Sequence, residues 1–466
     1  MQEPHEALAF GVEGLDKLFG GSIPPTHYLI VIAGHPGAGK TILASTICYA
    51  NTLRGHKCLY ISFQESKGKL FRVMKRLGID LGSVEEKGFL KFVNLPLILM
   101  PEEFLSEIKK IIEQNEHRVV IIDSINPLLK TVESDVAKRA ILQNFLYALP
   151  SIINGLTILL AELPVGKETI WLGGLEFVAD SVIIMRHRIE RNMLVRLMEI
   201  RKTRNAPILV AQIPFSIIEG RGIEAWPPPI IEEVPSVREE EELKLPCKAL
   251  STAFSHLHCG HVIYITYPAD ARPWFIPVIF LGLAIRNDLK ILIISYKYSP
   301  QEMVQLIKRS LMKLGVKNVD KLISKYFKLV GVNPFSMSIQ QLLVHEVNLV
   351  KEIKPSVVVF HGVEVPFSAS EIAEYMPHLF NQLNYLKKER ALIARMGSYL
   401  DEKVHAVNAS ISDVVIKIDL IKANNGSLSY NAYLWRRGEE PLLINASEIN
   451  ECLNEVKELA NCLELD

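Results

Sequence analysis

Neither sign of charge is in excess in this chain: Lys plus Arg number 52, and Asp plus Glu also number 52. A balanced chain lacks the basic surplus with which nucleic-acid binders neutralise phosphates, so nucleic acid is not favoured as a partner. Cysteine is scarce as well. The six cysteines, at 48, 58, 247, 259, 452 and 462, form neither a disulfide framework nor a paired zinc spacing. A reducing cytoplasm is therefore the expected setting. Long apolar runs are missing too. Those present, such as Trp274 to Ala284 with its internal Pro277, are too short to cross a bilayer, and no membrane partner is expected. The opening MQEPHEALAF has none of the cationic and apolar character of a secretory signal. What the chain has is core-forming material, 49% hydrophobic over 466 residues, a length that suggests about two or three domains.

One short segment carries most of the chemistry. Gly34-His35-Pro36-Gly37-Ala38-Gly39-Lys40-Thr41, followed by Ile42, fits the phosphate-loop pattern G-x-x-x-x-G-K-[ST] at every fixed position. Tyr28 to Ala33 before it is a continuous apolar run, as a buried parallel strand requires, and Ile42 to Ala50 after it reads as a helix. Strand, glycine turn and helix start would gather backbone N–H groups and a positive helix end around one anion. In that arrangement Lys40 neutralises the β- and γ-phosphates of ATP, and the Thr41 hydroxyl ligates Mg²⁺. Val119-Val120-Ile121-Ile122-Asp123 supplies the matching acid: a buried strand ending in Asp123, placed to hold the metal's water shell. Further strands are expected at Lys57–Phe63, Thr157–Glu162 and Ser181–Met185, with helical stretches at Leu70–Leu77 and Pro101–Glu113. Such alternation predicts an α/β fold with a mainly parallel sheet covered on both faces.

The run from Phe10 to Pro25, the phosphate loop, the strand ending Phe63-Gln64-Glu65 and the strand ending in Asp123 together resemble the RecA superfamily, and within it the KaiC- and RadA-like ATPases. The resemblance is good over residues 10 to about 217 and implies a RecA-like domain that turns over ATP with Mg²⁺. Members commonly read Phe-Glu-Glu after the second strand, with an acid activating water. Here Gln64 can orient water but cannot accept its proton, which leaves Glu65 as the candidate base and implies slow turnover. The resemblance also implies a role for Lys202 and Arg204, which fit the Lys-x-Arg pair that reaches a neighbouring subunit's γ-phosphate. Active sites would then lie between subunits of a homo-oligomer, a hexameric ring by kinship. Pro164 to Gly174 occupies the place of the recombinase pore loop. Its Lys167 stands beside Glu168, and Trp171 is read as packing rather than stacking on DNA.

Residues 220–246 read as a linker, with three consecutive prolines and the acidic run Glu239–Glu242. This divides the chain into an active domain at 1–219 and a second domain at 247–466. Beyond the linker the order of the first half recurs at a spacing of 233 to 238 residues. His261–Pro268 answers His27–Gly34, Leu292–Tyr296 answers Leu59–Phe63, Ser356–His361 answers Arg118–Asp123, and Ser412–Lys417 answers Ala179–Ile184. The chemistry does not recur. Pro268 to Phe275 stands in place of the phosphate loop without glycine or lysine, His361 replaces Asp123, and Lys297-Tyr298 replaces Gln64-Glu65. Proline removes a backbone donor from the cradle, and Trp274 and Phe275 are expected to fill it. The second half is read as a structural copy or a docking surface for a protein partner.

Two smaller features complete the chain. The group His256, His258, Cys259 and His261 has no standard zinc spacing and is not read as a metal site. Ala446 to Ala460 has helical periodicity with a Ser-x-x-Asn start and is expected to pack on its own domain. The function expected is a slow, regulatory ATPase. The alternatives are a DNA-binding recombinase paralogue, a scaffold that binds ATP without turnover, and, less favoured, a protein kinase using the same site.

Overall fold

The structure is a computed structural model describing residues 7–95, 101–113, 116–127, 145–163, 174–190, 192–204, 206–208, 210–229, 231–237, 242–254, 256–368, 371–422 and 426–463. The chain divides into two compact units, Met1–Pro228 and Pro229–Asp466.

In the first unit the apolar runs fold as β1 (Tyr28–Gly34), β2 (Cys58–Ser62), β3 (Leu90–Asn94), β4 (Val119–Asp123) and β5 (Leu156–Glu162). They are followed by β6 (Ser181–Glu190), β7 (Met193–Thr203), β8 (Gln212–Ile218) and β9 (Gly222–Ala225). The sheet order is β3-β2-β4-β5-β1-β6-β7-β8-β9, parallel through β6 and antiparallel beyond it. All seven residues of β1 are buried, because helices cover both faces of the strand. Alternation splits them between two cores: Tyr28, Ile30 and Ile32 on one side, Leu29, Val31 and Ala33 on the other. Strand β9 corrects the linker reading at its start. Gly222–Ala225 pairs with β8, and its Ile223 and Ala225 belong to the first core.

The second unit repeats the plan with β10 (Val262–Pro268), β11 (Ile291–Ser295), β12 (Phe327–Gly331), β13 (Val357–His361) and β14 (Leu392–Tyr399). Its antiparallel extension is β15 (Val414–Lys422), β16 (Leu428–Arg436) and β17 (Leu442–Ile444). The order β12-β11-β13-β14-β10-β15-β16-β17 reproduces that of the first sheet strand for strand as far as its eighth strand. Each pair of segments matched in the sequence therefore holds the same place in its sheet.

Two details differ from the sequence reading. The Ala446–Asn461 helix starts two residues earlier than the Ser447-x-x-Asn450 signal suggests, because Asn445 caps it and Glu448 closes a capping box. Cys247 and Cys452, which the spacing left unpaired, are joined in a disulfide. Cys247 precedes the Lys248–Ala253 helix and Cys452 sits on the buried face of the C-terminal helix, so the bond ties the two ends of the unit together. Among the described residues, no helix is long and apolar enough to cross a membrane.

Candidate nucleotide site

The phosphate-loop segment links β1 to the Lys40–Leu53 helix at the carboxyl edge of the parallel strands. Gly39 caps that helix at φ +103°, a conformation side chains resist, and a Cβ there would come within 3.2 Å of Ile217 Cδ1 and 3.3 Å of Met185 Cε. Gly34 is fixed by crowding: a Cβ would sit 2.3 Å from the Met185 carbonyl oxygen on the neighbouring strand. The turn that bares backbone N–H groups to an anion thus depends on residues from β6 and β8 as well as on its own glycines.

Lys40 is buried, and its ammonium donates to the carbonyls of Gly34 at 2.9 Å and His35 at 3.1 Å. Burial lowers its pKa against the charges of Glu162 and Asp123. Asp123 ends β4, where its Oδ2 accepts from Thr41 Oγ1 at 2.9 Å and from the Tyr60 hydroxyl at 2.8 Å. Burial raises the Asp123 carboxyl above the usual range, while Tyr60, Thr41 and Lys40 work to lower it. A cation and an anion that both lose solvation are each stabilised by a counter-charge. A magnesium–triphosphate brings both signs at once. The hard oxygen donors of Thr41 and Asp123 suit Mg²⁺. Among the described residues no cluster of three or more acids, histidines or cysteines could hold a metal by itself, so any cation here needs ligands from a bound phosphate or water.

The remaining sequence candidates are less closely gathered. Gln64 is exposed. Glu65 lies close enough for its charge to act on Asp123, but its carboxylate pairs with Lys69 at 3.1 Å. Ser62 and Asn94 fix the Glu65 backbone, so the strand-end turn is held while the side chain pairs with Lys69 on the Lys67–Arg76 helix that follows. Lys202 and Arg204 stand together as their spacing requires, both donating to the Phe177 carbonyl, and Arg204 also pairs with Asp180 at 3.2 Å. Pro36, Gly37 and Ala38 complete the turn, and Ile42 lies in the first helical turn with its carbonyl accepting from Thr46. Lys167 and Trp171 lie outside the described residues.

Sequence reasoning missed Tyr60, Glu162 and Asn126. Register places Glu162 beside Gly34, and Asn126 binds its backbone in both directions, at 2.6 and 3.1 Å. The pairing of a β-strand phenol with Asp123 has no local signal.

A family model described as the KaiC ATPase matches residues 8–229. Over that span the chain is similar to the KaiC-like ATPases of the RecA superfamily. It is similar to the circadian clock protein KaiC3 of a Synechocystis strain, at 23% identity over 82% of this chain and 77% of that protein. It is also similar to the circadian clock oscillator proteins KaiC of a Picosynechococcus strain, at 26% identity, and of Rippkaea orientalis, at 25%. Each of those two matches covers 43% of this chain, and only 39% and 38% of the relatives' own lengths. The KaiC-like family is one of nucleotide-using ATPases, and the matched span contains every site residue described above.

At the same sheet edge of the second unit the chain holds a different group. Lys297, in the place of Gln64, pairs with Glu364 and donates to Ser398 Oγ at 3.1 Å, and Ser398 also donates to Glu364. His361, in the place of Asp123, binds Ser295 at 3.0 Å and stacks on Tyr298 with ring centroids 5.4 Å apart. Burial, with Lys297 adding to it, pushes the His361 imidazole down to about 4, so it is neutral at pH 7. Phe275 is buried against Tyr430, as the filling of the old cradle requires, but Trp274 is only half-buried and a hollow remains beside it.

Proposed function

We propose that the protein is a regulatory ATPase that binds ATP with Mg²⁺ in its first unit and hydrolyses it slowly at subunit interfaces of a homo-oligomeric, hexameric ring. The observation that carries this reading is the convergence of Lys40, Thr41 and Asp123 on one solvent-poor edge, with Thr41 and Asp123 already in contact. Backbone N–H groups of the Gly34–Thr41 turn hold the phosphates with Lys40. Thr41 and Asp123 hold the metal, which neutralises developing charge on the transferring phosphoryl group. Glu65 takes the proton of the attacking water once it leaves Lys69, and Gln64 orients that water. Lys202 and Arg204 exchange the Phe177 carbonyl for a neighbour's γ-phosphate. The second unit, with the Lys297–Glu364 pair at the corresponding edge, takes no nucleotide.

The pairing of Glu65 with Lys69 and the amide at Gln64 favour a second reading, a scaffold that binds ATP to assemble without turnover. Phosphate release and light scattering on the full chain, with and without ATP and Mg²⁺, separate the two. The ATPase reading expects measurable phosphate release by the wild type, lost in Lys40→Ala along with ATP-dependent assembly. ATP-driven assembly with no phosphate release establishes the scaffold. Release unchanged in Lys40→Ala overturns the site.

A further inference from the structure

The second unit contains a cavity of about 370 Å³ beneath the carboxyl ends of its parallel strands. Open α/β sheets place their ligands at this edge, and the volume lies within the usual range for small-molecule sites. Its floor is apolar, built by Phe280, Ile293, Ile307, Val359 and Met396. Its mouth is cationic, with Arg272 from the Pro268–Phe275 loop and Arg309 and Lys313 from the Pro300–Leu314 helix. No Asp or Glu lines it. Aromatic rings hold two of the cations: the Lys313 ammonium lies 4.3 Å above the Trp274 ring, and Arg272 binds the Tyr298 hydroxyl.

These features select a class of ligand. An apolar floor favours an uncharged, compact body, and three cations without a carboxylate favour one anionic group at the mouth. Inorganic phosphate and nucleotide triphosphate fit poorly, because Pro268 and Pro273 remove backbone donors from the adjacent loop and its positions 268–275 contain no glycine. We propose that this cavity binds a small organic anion with a compact apolar body, its carboxylate or sulfonate held by Arg309 and Lys313. The proposal is independent of whether the first unit hydrolyses ATP.

The test uses the full chain and 8-anilinonaphthalene-1-sulfonate, with the neutral N-phenyl-1-naphthylamine as its uncharged counterpart. The sulfonate is expected to saturate one site per chain, to bind more tightly than the neutral ring system, and to resist displacement by ATP–Mg²⁺. Arg309→Glu with Lys313→Glu is expected to weaken it by about tenfold or more. Both residues are exposed, and circular dichroism checks that the fold is kept. Ile307→Trp, which fills the floor, is expected to abolish binding of both probes. The proposal is overturned by equal affinity for the neutral probe, by insensitivity to the double variant, by displacement with ATP–Mg²⁺, or by the lack of a saturable site.

Discussion

Thr41 Oγ1 donates to Asp123 Oδ2 across 2.9 Å, although 82 residues separate the two in the chain. The contact joins the first turn of the phosphate-loop helix to the end of β4. It also commits one oxygen of Asp123, which accepts from Tyr60 as well. The hydroxyl and the carboxylate are therefore held side by side, where, on the proposed reading, they would serve a metal ion.

Asp123→Asn tests that arrangement. The amide keeps an oxygen to accept from Thr41 and Tyr60, so the fold should survive with little change in melting temperature. The charge that would hold the metal's water shell on the proposed reading is gone. Titration calorimetry should show ATP affinity in the presence of Mg²⁺ weakened roughly 10–100-fold, with affinity in EDTA almost unchanged. A variant whose Mg²⁺ dependence matches the wild type would remove Asp123 from the metal site.

The proposed roles of Gln64 and Glu65 make separate predictions. Glu65→Gln should lower kcat by about 10²-fold or more with ATP affinity within a few-fold, because a base acts in the transition state and not in the ground state. Gln64→Glu should do the reverse and raise phosphate release, since it supplies a second acceptor on a turn already fixed by Ser62 and Asn94. Single-turnover measurements separate chemistry from product release. A fall in turnover for Gln64→Glu would mean that the amide, not the neighbouring acid, positions the water.

Much of this site could be read from the chain because its parts are local. The phosphate loop is eight consecutive residues, and the β4 acid follows an unbroken apolar run, so local patterns sufficed. The duplicated sheet order was legible for the same reason, since each strand repeats its own pattern. What escaped was contact set by sheet order. Tyr60 reads as one more apolar strand residue until β2 lies beside β4 and brings its hydroxyl to Asp123. Lys297, Glu364 and Ser398 come from three separated segments that meet only when β11, β13 and β14 align. The lysine and arginine at 202 and 204 were visible, but their Phe177 carbonyl partner was not, because backbone acceptors leave no mark in side-chain pattern.

The Cys247–Cys452 bond closes 205 residues of chain, nearly the whole second unit. Cross-linking of that span removes conformational freedom from the unfolded state, worth roughly 3–5 kcal/mol on the loop-entropy account. Cys247→Ser should therefore lower the melting temperature of the second unit's transition under non-reducing conditions, and dithiothreitol should lower the wild type to the same value. Alkylation mass spectrometry before reduction should modify the exposed Cys462 in the native chain and the buried Cys48 and Cys58 only after denaturation, leaving the Cys247–Cys452 pair blocked in both. Equal melting temperatures for the wild type and variant would show that the bond adds no stability in solution.

The most deeply buried acid of the second unit gives a pH prediction. Glu346 is fully enclosed, accepts from the Tyr296 hydroxyl and the Gln382 amide, and is raised from 4.5 to about 7 by burial, with Tyr296, Gln382 and Arg395 opposing the rise. Tyr375 packs into the same region and feels the charges of Glu346 and Arg395. Because the folded pKa lies above the unfolded one, the native state binds this proton more tightly. The resulting stability is full below about pH 4.5 and is lost as pH rises through 7, a difference of about 3 kcal/mol. Glu346→Gln removes that dependence. Its amide oxygen can accept from Tyr296, and its NH₂ can donate to Gln382 Oε1, which has no partner, once the Gln382 amide turns over. Urea denaturation should find Glu346→Gln more stable than the wild type at pH 8 and close to it at pH 5. The opposite order, a variant less stable than the wild type at pH 8, would mean that the carboxylate is held charged by Arg395 and that this attraction outweighs its desolvation.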